Sequence, residues 1–374
     1  MVCQRAATAW CRARVLPERR HPEQEHAPPY PSRNDLTNTL QVFMPPPKIS
    51  VLIPTYNYAR YLPEAIESVL MQDFAEFELL ISDDCSTDDS AEVIARYAAK
   101  DSRIRFQIHR TRLGMVQNWN WCLSEARGEY IKFVFGDDKL ASRQTLTKLL
   151  GLMENNAPAA LAASARYLIG ANSEILELWD DFGKPGRHKG TEVICQCLDE
   201  DCNLVGEPSA ALFRKRDAAR GFSLRYRQLV DLELWFHLLE QGDFIYTPEP
   251  LCCFRKHAGQ QTEVNDASGI GKWEIFQLFG DYRARAYDKA QGVRWRQFNR
   301  LYELRKRRRR SAYVPEEMLE MESDLSGRIS KFWYAAYWSR RRITRPFDNL
   351  LQWLERRRQR GRRAAPVSSQ KSRR

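Results

Sequence analysis

The chain has 374 residues, 43% of them hydrophobic and 29% charged, and a formal net charge of +11. That length and composition suit one large globular domain or two around a sizeable core. No stretch approaches the roughly 18 uncharged apolar residues of a membrane span, and no apolar h-region of a secretory signal stands at the N-terminus.

The charge is unevenly placed. Residues 1–47 carry 6 Lys/Arg against 4 Asp/Glu, residues 48–260 carry 25 against 31, and residues 261–374 carry 28 against 13. This divides the chain into an N-terminal extension, a mildly acidic body and a basic tail. Nine cysteines are scattered without a paired framework. Cys195, Cys197 and Cys202 lack the paired C-x-x-C spacing and nearby histidines of a zinc site, so reduced thiols and a reducing cytoplasm are expected.

Residues 1–47 are rich in Arg, Pro and Glu without period and read as disordered. Met44, just before Pro45-Pro46-Pro47, is a candidate start of translation. Residues 49–53 form a buried-strand run ended by Pro54. A helix is predicted over 62–71, with Pro63 in its first turn. Strand 77–81 follows, then helix 90–99, which Asp88 or Ser86 can cap. Strand 104–108, helix 115–126 and strand 130–135 complete an alternation that specifies a parallel sheet with crossover helices. Helix 143–155 and strand 161–168 follow, and 170–205 reads as irregular. Residues 210–213 are strand-like. The apolar residues of 229–241 repeat at helical spacing, with Asp231 placed as the cap. Residues 244–246 and 251–254 read as two short strands. From about Lys272 the chain is helical, aromatic and basic.

The stretch Gly128-Glu129-Tyr130-Ile131-Lys132-Phe133-Val134-Phe135-Gly136-Asp137-Asp138 is central. A run buried on both faces stops at Gly136, and two carboxylates follow. In open α/β sheets ligands collect outside the carboxyl ends of the strands. Adjacent acids repel each other unless a cation is shared, and Mg²⁺ typically uses one or two carboxylates plus substrate phosphates.

Taken together, several segments resemble the inverting, nucleotide-sugar-dependent glycosyltransferases of family 2, with the GT-A fold. They are Val51-Leu52-Ile53-Pro54-Thr55-Tyr56-Asn57, Ser82-Asp83-Asp84-Cys85-Ser86-Thr87-Asp88, Ala126-Arg127-Gly128-Glu129-Tyr130-Ile131-Lys132, Gly136-Asp137-Asp138, Gly206-Glu207-Pro208-Ser209, Asp231-Leu232-Glu233-Leu234-Trp235 and Arg255-Lys256-His257. The resemblance covers residues 48–260. It implies a Rossmann-like, mostly parallel sheet flanked by helices, followed in this chain by a helical extension over 261–374. It implies that Pro54, Thr55, Tyr56 and Asn57 lie along the nucleotide, that Asp84 accepts a hydrogen bond from the base, and that Asp137 and Asp138 share Mn²⁺ or Mg²⁺ and ribose contacts. Asp83 reads rather as part of a capping turn. Phe135 occupies the place of the first acid of the common Asp-x-Asp form, which leaves fewer oxygen ligands. Asp231 resembles the general base. Glu207 and His257 are candidates for acceptor or diphosphate contacts, and Trp119 and Trp235 fit helix packing.

The resemblance implies single-sugar transfer with inversion from a UDP-sugar to a hydroxyl of a glycan or lipid-linked acceptor, in cell-surface polysaccharide or glycolipid synthesis. A nucleotidyltransferase would need a Gly-rich phosphate loop after the first strand, and Pro54 to Tyr61 has no glycine. A glycosidase would need two carboxylates flanking the bond and no nucleotide site. A nucleic-acid-binding protein would use the basic tail, but the acidic body argues against it and no nucleic acid is expected. Residues 294–310 hold Trp295, Phe298, Leu301 and Tyr302 among arginines. Residues 332–354 hold Phe332, Trp333, Tyr334, Tyr337, Trp338, Leu350, Leu351, Trp353 and Leu354. Such segments can lie on an anionic membrane surface or pack as a helical subdomain. The expected location is cytoplasmic, with peripheral attachment to the inner face of the membrane.

Overall fold

A computed structural model describes residues 46–262 apart from residue 201, residue 265, residues 271–284 and helical positions scattered between 301 and 339. The expectations for residues 1–45, including Met44, for 285–300 and 340–374, and for Trp333, Tyr337 and Trp338 lie outside the described residues.

Strand β1 (Ile49–Thr55) is buried at all seven positions because it lies between β2 (Phe77–Asp83) and β4 (Tyr130–Phe133), parallel to both. Strand β3 (Ile104–Ile108) extends the parallel half beside β2. The connecting helices are α1 (Leu62–Leu70), α2 (Ser90–Ala98) and α3 (Met115–Glu125). Strand alternation sorts the core. Val51, Ile53, Leu79 and Ile81 pack with Leu62, Ile66, Val69 and Ile94 on one face. Leu52 and Leu80 point the other way, towards Cys122 and Leu123 of α3. Each such side chain contributes roughly 1.5–3 kcal/mol by leaving water.

Strand β1 runs through Pro54 instead of ending before it. The Leu52 carbonyl accepts from Val134 N–H, so even-numbered positions of β1 turn towards β4. Pro54, two residues on, has the same orientation but lies beyond the last β4 partner, so its missing N–H removes no ladder bond.

The second half of the sheet is mixed. After β5 (Lys139–Leu140) and α4 (Thr145–Glu154) come β6 (Ala159–Ile169), β7 (Ile175–Trp179), β8 (Gly186–His188), α5 (Gly190–Glu200), β9 (Ala211–Arg214), α6 (Val230–Leu239) and β10 (Asp243–Arg255). The order is β3-β2-β1-β4-β9-β6-β10-β5, with β7 beside β6 and β8 beside β10. Strand β9 is antiparallel to β4 and β6, while β6 and β10 pair in parallel over the longest ladder. Most paired residues are therefore in parallel ladders, with helices on both faces, as the GT-A resemblance implies. The order reverses between β1 and β4, which makes their carboxyl ends a topological switch point.

Three sequence expectations are corrected. Residues 170–205 are not irregular but hold β7, β8 and α5. The two short strands at 244–254 are one strand, β10, with register shifts around Pro250. Strand β4 stops at Phe133, two residues early.

Helix α7 (Gly271–Ala284) lays Leu278, Phe279 and Tyr282 into the core that α6 fills. Beyond it α8 (Glu316–Arg328) carries Glu322, which pairs with Arg305 at 3.1 Å. Leu301 is buried, so it is not on an exposed apolar face, whereas Phe332 is 73% exposed.

Gly128 enters β4 against β1, where an added Cβ would meet Ser50 N at 2.4 Å. Backbone cannot yield there as a flexible side chain would. Gly128→Ala should therefore cost about 1–3 kcal/mol, read as a lower thermal midpoint with unchanged nucleotide affinity in the folded fraction.

Candidate active site

Two loops at the switch point are laced together. Asp84 N–H donates to Thr55 O at 3.0 Å. Asn57 adopts a left-handed backbone (φ 56°), which brings its N–H to Ser86 Oγ at 2.8 Å and its Oδ1 to Thr87 N–H at 2.8 Å. Asp83 accepts from Ser86 N–H at 2.9 Å and from its hydroxyl at 2.5 Å, so it anchors the turn. Asp88 accepts from Ala59 N–H at 2.9 Å and from Ser90 N–H at 3.0 Å, tying the loop after β1 to the start of α2. The Arg112 guanidinium lies over the Tyr56 ring at 3.8 Å. Asp84 is buried and turns its carboxylate to the 112–114 loop, accepting from Leu113 N–H at 2.6 Å and Gly114 N–H at 3.0 Å. The side chain expected to meet a base thus also shapes the neighbouring wall. Sequence reading missed Arg112, although an arginine in the loop after β3 falls at the same end of the sheet.

The acid pair sits beside these loops. At Gly136 an added Cβ would meet Thr55 Oγ1 at 2.5 Å, so only glycine lets the pair approach the end of β1 this closely. Asp138 is buried and accepts from Ser209 Oγ at 2.5 Å and Arg255 N–H at 2.9 Å. Burial, and then the charge of Asp137, push its carboxyl well above the usual carboxylate range. Asp137 Oδ2 lies 3.1 Å from His257 Nε2, and that bond raises the imidazole above its ordinary value. Burial, followed by the charges of Asp137 and Asp138, raises the phenol of Tyr58. Lys132, buried in β4, donates to Ser209 O, and burial pushes its ammonium down to about 8. Arg255 holds the turn from behind, donating Nε to Asp137 O at 2.6 Å and reaching Ser173 Oγ at 2.8 Å and Glu64 Oε2 at 3.2 Å.

A divalent cation fits this arrangement in part. Two adjacent buried carboxylates are what a cation would discharge, and His257 adds an imidazole. No group of three His, Cys, Asp or Glu side chains among the described residues forms a full metal cage. Oxygens from a bound diphosphate would have to complete the shell. The Phe135 ring lies 4.7 Å from Trp119, so the position of a first acid is taken up by aromatic packing.

Asp231 lies on the first turn of α6 and is not its cap, since the helix begins at Val230 with Leu229 at the cap. Its Oδ1 accepts from Leu232 N–H at 2.7 Å and its Oδ2 from Asn203 Nδ2 at 3.2 Å. Burial, opposed by the Leu232 bond and reinforced by Glu207, pushes the carboxyl up to about 7. Glu207 pairs with Arg166, which also reaches Asp181 at 2.8 Å. The 206–210 segment joins the two halves of the site. Gly206 O accepts from Trp235 Nε1 at 2.9 Å at the Asp231 end, and Ser209 touches Asp138 and Lys132 at the other. Lys132, Arg166, Asn203, Ser209 and Arg255 were not anticipated as site residues. Lys132, a charge inside an apolar strand, carried a local signal, and Ser209 and Arg255 stood within motif segments, but nothing local marked Arg166 or Asn203.

The carboxyl ends of the strands thus carry a laced loop pair, an adjacent acid pair and, joined to it through 206–210, a carboxylate raised to about 7. The sequence pattern described as Glycosyl transferase family 2 matches residues 50–218. The protein assigned as the teichuronic acid biosynthesis glycosyltransferase TuaG of Bacillus subtilis is 33% identical over 233 residues, 61% of this chain and 84% of that one. A GalNAc(5)-diNAcBac-PP-undecaprenol beta-1,3-glucosyltransferase of Campylobacter jejuni is 38% identical over 97 residues, 26% of this chain and 31% of that one. S. aureus TarS, solved with UDP-GlcNAc, shares the fold with a TM-score of 0.50 at 19% identity over 66% of this chain and 75% of that one. The chain belongs to glycosyl transferase family 2. It is an inverting, nucleotide-sugar-dependent glycosyltransferase.

Proposed function

We propose that the chain transfers one sugar from a UDP-sugar to a hydroxyl of a glycan or lipid-linked acceptor, with Asp231 as the general base. The observation that carries this reading is Asp231 itself. It is a carboxylate raised to about 7 on a rigid helix, joined through 206–210 to the acid pair. Such a group can take the proton of an attacking hydroxyl near neutral pH. Base and leaving diphosphate on opposite sides of the sugar give in-line displacement and inversion.

Pro54, Thr55, Tyr56, Asn57 and Asp84 border the nucleotide, with Arg112 over Tyr56. Asp137 and Asp138, with His257, would hold Mn²⁺ or Mg²⁺. When bound, the cation would neutralise the charge developing on the diphosphate. Arg166 keeps Glu207 oriented on the acceptor side. TarS was solved with UDP-GlcNAc and the Campylobacter relative is named for an undecaprenol-linked acceptor, and both support these substrate classes here.

The test is a screen of nucleotide sugars for hydrolysis or transfer, with and without Mn²⁺. UDP-sugars should turn over and chelator should suppress the reaction. Turnover of another nucleotide class alone would overturn the donor assignment.

Among the described residues no helix is long and apolar enough to cross a membrane. The reading places the enzyme peripherally at the cytoplasmic face through its basic tail. Truncation after residue 290 should release the protein from anionic vesicles while sparing UDP binding. Salt-insensitive retention, or equal binding to neutral vesicles, would count against it.

A further inference from the structure

The start of α6 has no side-chain cap of its own, yet it carries the base in its first turn. The backbone N–H groups that lead into the helix need partners too, and three of them, up to the cap residue Leu229, find one in the chain beyond the family-matched region. Glu274 of α7 is buried. Its Oε1 accepts from Arg227 N–H at 2.6 Å, and its Oε2 from Gln228 N–H at 2.7 Å and Leu229 N–H at 2.8 Å. Asn265, also buried, donates Nδ2 to Arg227 O at 3.2 Å and to Gln228 Oε1 at 2.8 Å. Phe279 and Tyr282 pack their rings on Phe236, one turn further along α6, at 6.0 and 4.8 Å.

We propose that Asn265 and helix α7 form a latch on the catalytic helix and that Glu274 is a positioning residue for Asp231. The proposal rests on the reading of Asp231 as the base. Burying a carboxylate is costly unless it is fully hydrogen-bonded. Here three charge-assisted bonds converge on it, and an anion at a helix N-terminus is further stabilised by the helix dipole. The three N–H groups it holds end two residues before Asp231. Without them the first turn can fray, and the base sits on that turn. Misplacing a catalytic group by about 1 Å costs on the order of 100-fold in rate. The catalytic unit therefore extends through α7, past the residues that match the family pattern.

Glu274→Gln keeps the side chain's size but replaces one accepting oxygen with a donor that faces an N–H. In the full chain it should lower kcat by about 10- to 100-fold while UDP affinity, measured by calorimetry, stays within about twofold. Asp231→Asn is assayed beside it. Ile66→Val in α1, which loosens the opposite core, controls for plain loss of stability and should keep wild-type kcat well below its melting transition. Should Glu274→Gln fail to fold, Asn265→Ala removes the bonds to Arg227 and Gln228 while leaving Glu274 in place, and should show a smaller drop in kcat with the same unchanged UDP affinity. Wild-type kcat in Glu274→Gln alongside an inactive Asp231→Asn overturns the latch alone. An active Asp231→Asn overturns the base assignment instead. Parallel loss of kcat and UDP binding in Glu274→Gln would mark Glu274 as merely structural.

Discussion

Asp231→Asn should bind UDP as the wild type does and turn over about two to four orders of magnitude more slowly. The amide keeps the carboxylate's shape and can still accept from Leu232 N–H through its oxygen. What it cannot do is take a proton from an acceptor hydroxyl. The pH dependence gives a second reading. With the carboxyl at about 7 in the folded enzyme, transfer should rise as pH passes upward through that value and level off above it. The variant's residual activity should lack that limb. Stability should move the opposite way. The folded value lies above the ordinary 3.8, so the folded chain holds a proton that the unfolded chain has released. The resulting stability is fully present below about 3.8 and is lost as pH rises to about 7. Asp231→Asn carries no such charge, so its melting temperature relative to wild type should be higher at pH 8 than at pH 4. Retained turnover in the variant would move the base role to Glu207 or Glu233.

The parts of the molecule that could be read from sequence are those whose physics is local. Strands β1 and β2 announce themselves because both faces are buried and their residues are mostly apolar or small, with Glu78 the exception in β2. Helix α1 does so through Pro63 and the spacing of Leu62, Ile66 and Val69. The acid pair and Asp231 were legible as motifs. Strand β7 was not, because it is an edge strand with Ile175, Leu176 and Leu178 exposed, so no burial pattern marks it. Helix α5 carried a readable signal in Val193, Ile194, Cys197 and Leu198, all buried, but it stands among short irregular connections. Pro248 and Pro250 disguised β10 as two strands, whereas the chain absorbs them in a register shift. Asp231 looked like a cap because the true partner of that helix end, Glu274, is 45 residues away from Leu229. The same distance problem hid Ser209 and Arg255 from Asp138, and Asn203 from Asp231. A motif shows which acid is present, but which groups hold it depends on long-range contacts.

The acid pair should separate activity from stability in a way its sequence position does not suggest. Both aspartates follow a strand end, and by that position alone either substitution would spare the fold. The structure distinguishes them. Asp137→Asn removes a charge from a repelling pair and keeps a polar partner for His257, so its melting temperature should match or exceed that of wild type. Transfer should still fall by about two to three orders of magnitude, as when one preorganised electrostatic stabiliser is lost. Asp138→Ala should also be inactive, but less stable. It strands the Ser209 hydroxyl and Arg255 N–H and removes a carboxylate whose charge favours the buried ammonium of Lys132. Leaving buried donors without an acceptor costs about 1–3 kcal/mol, which differential scanning calorimetry can resolve. Mn²⁺ binding in the presence of UDP, followed by electron paramagnetic resonance, should be weakened in both variants. Full turnover of the wild type in chelator would sink the metal assignment. Equal melting temperatures for Asp137→Asn and Asp138→Ala would instead show that Asp138 does not hold Ser209 and Arg255 as its two short bonds indicate.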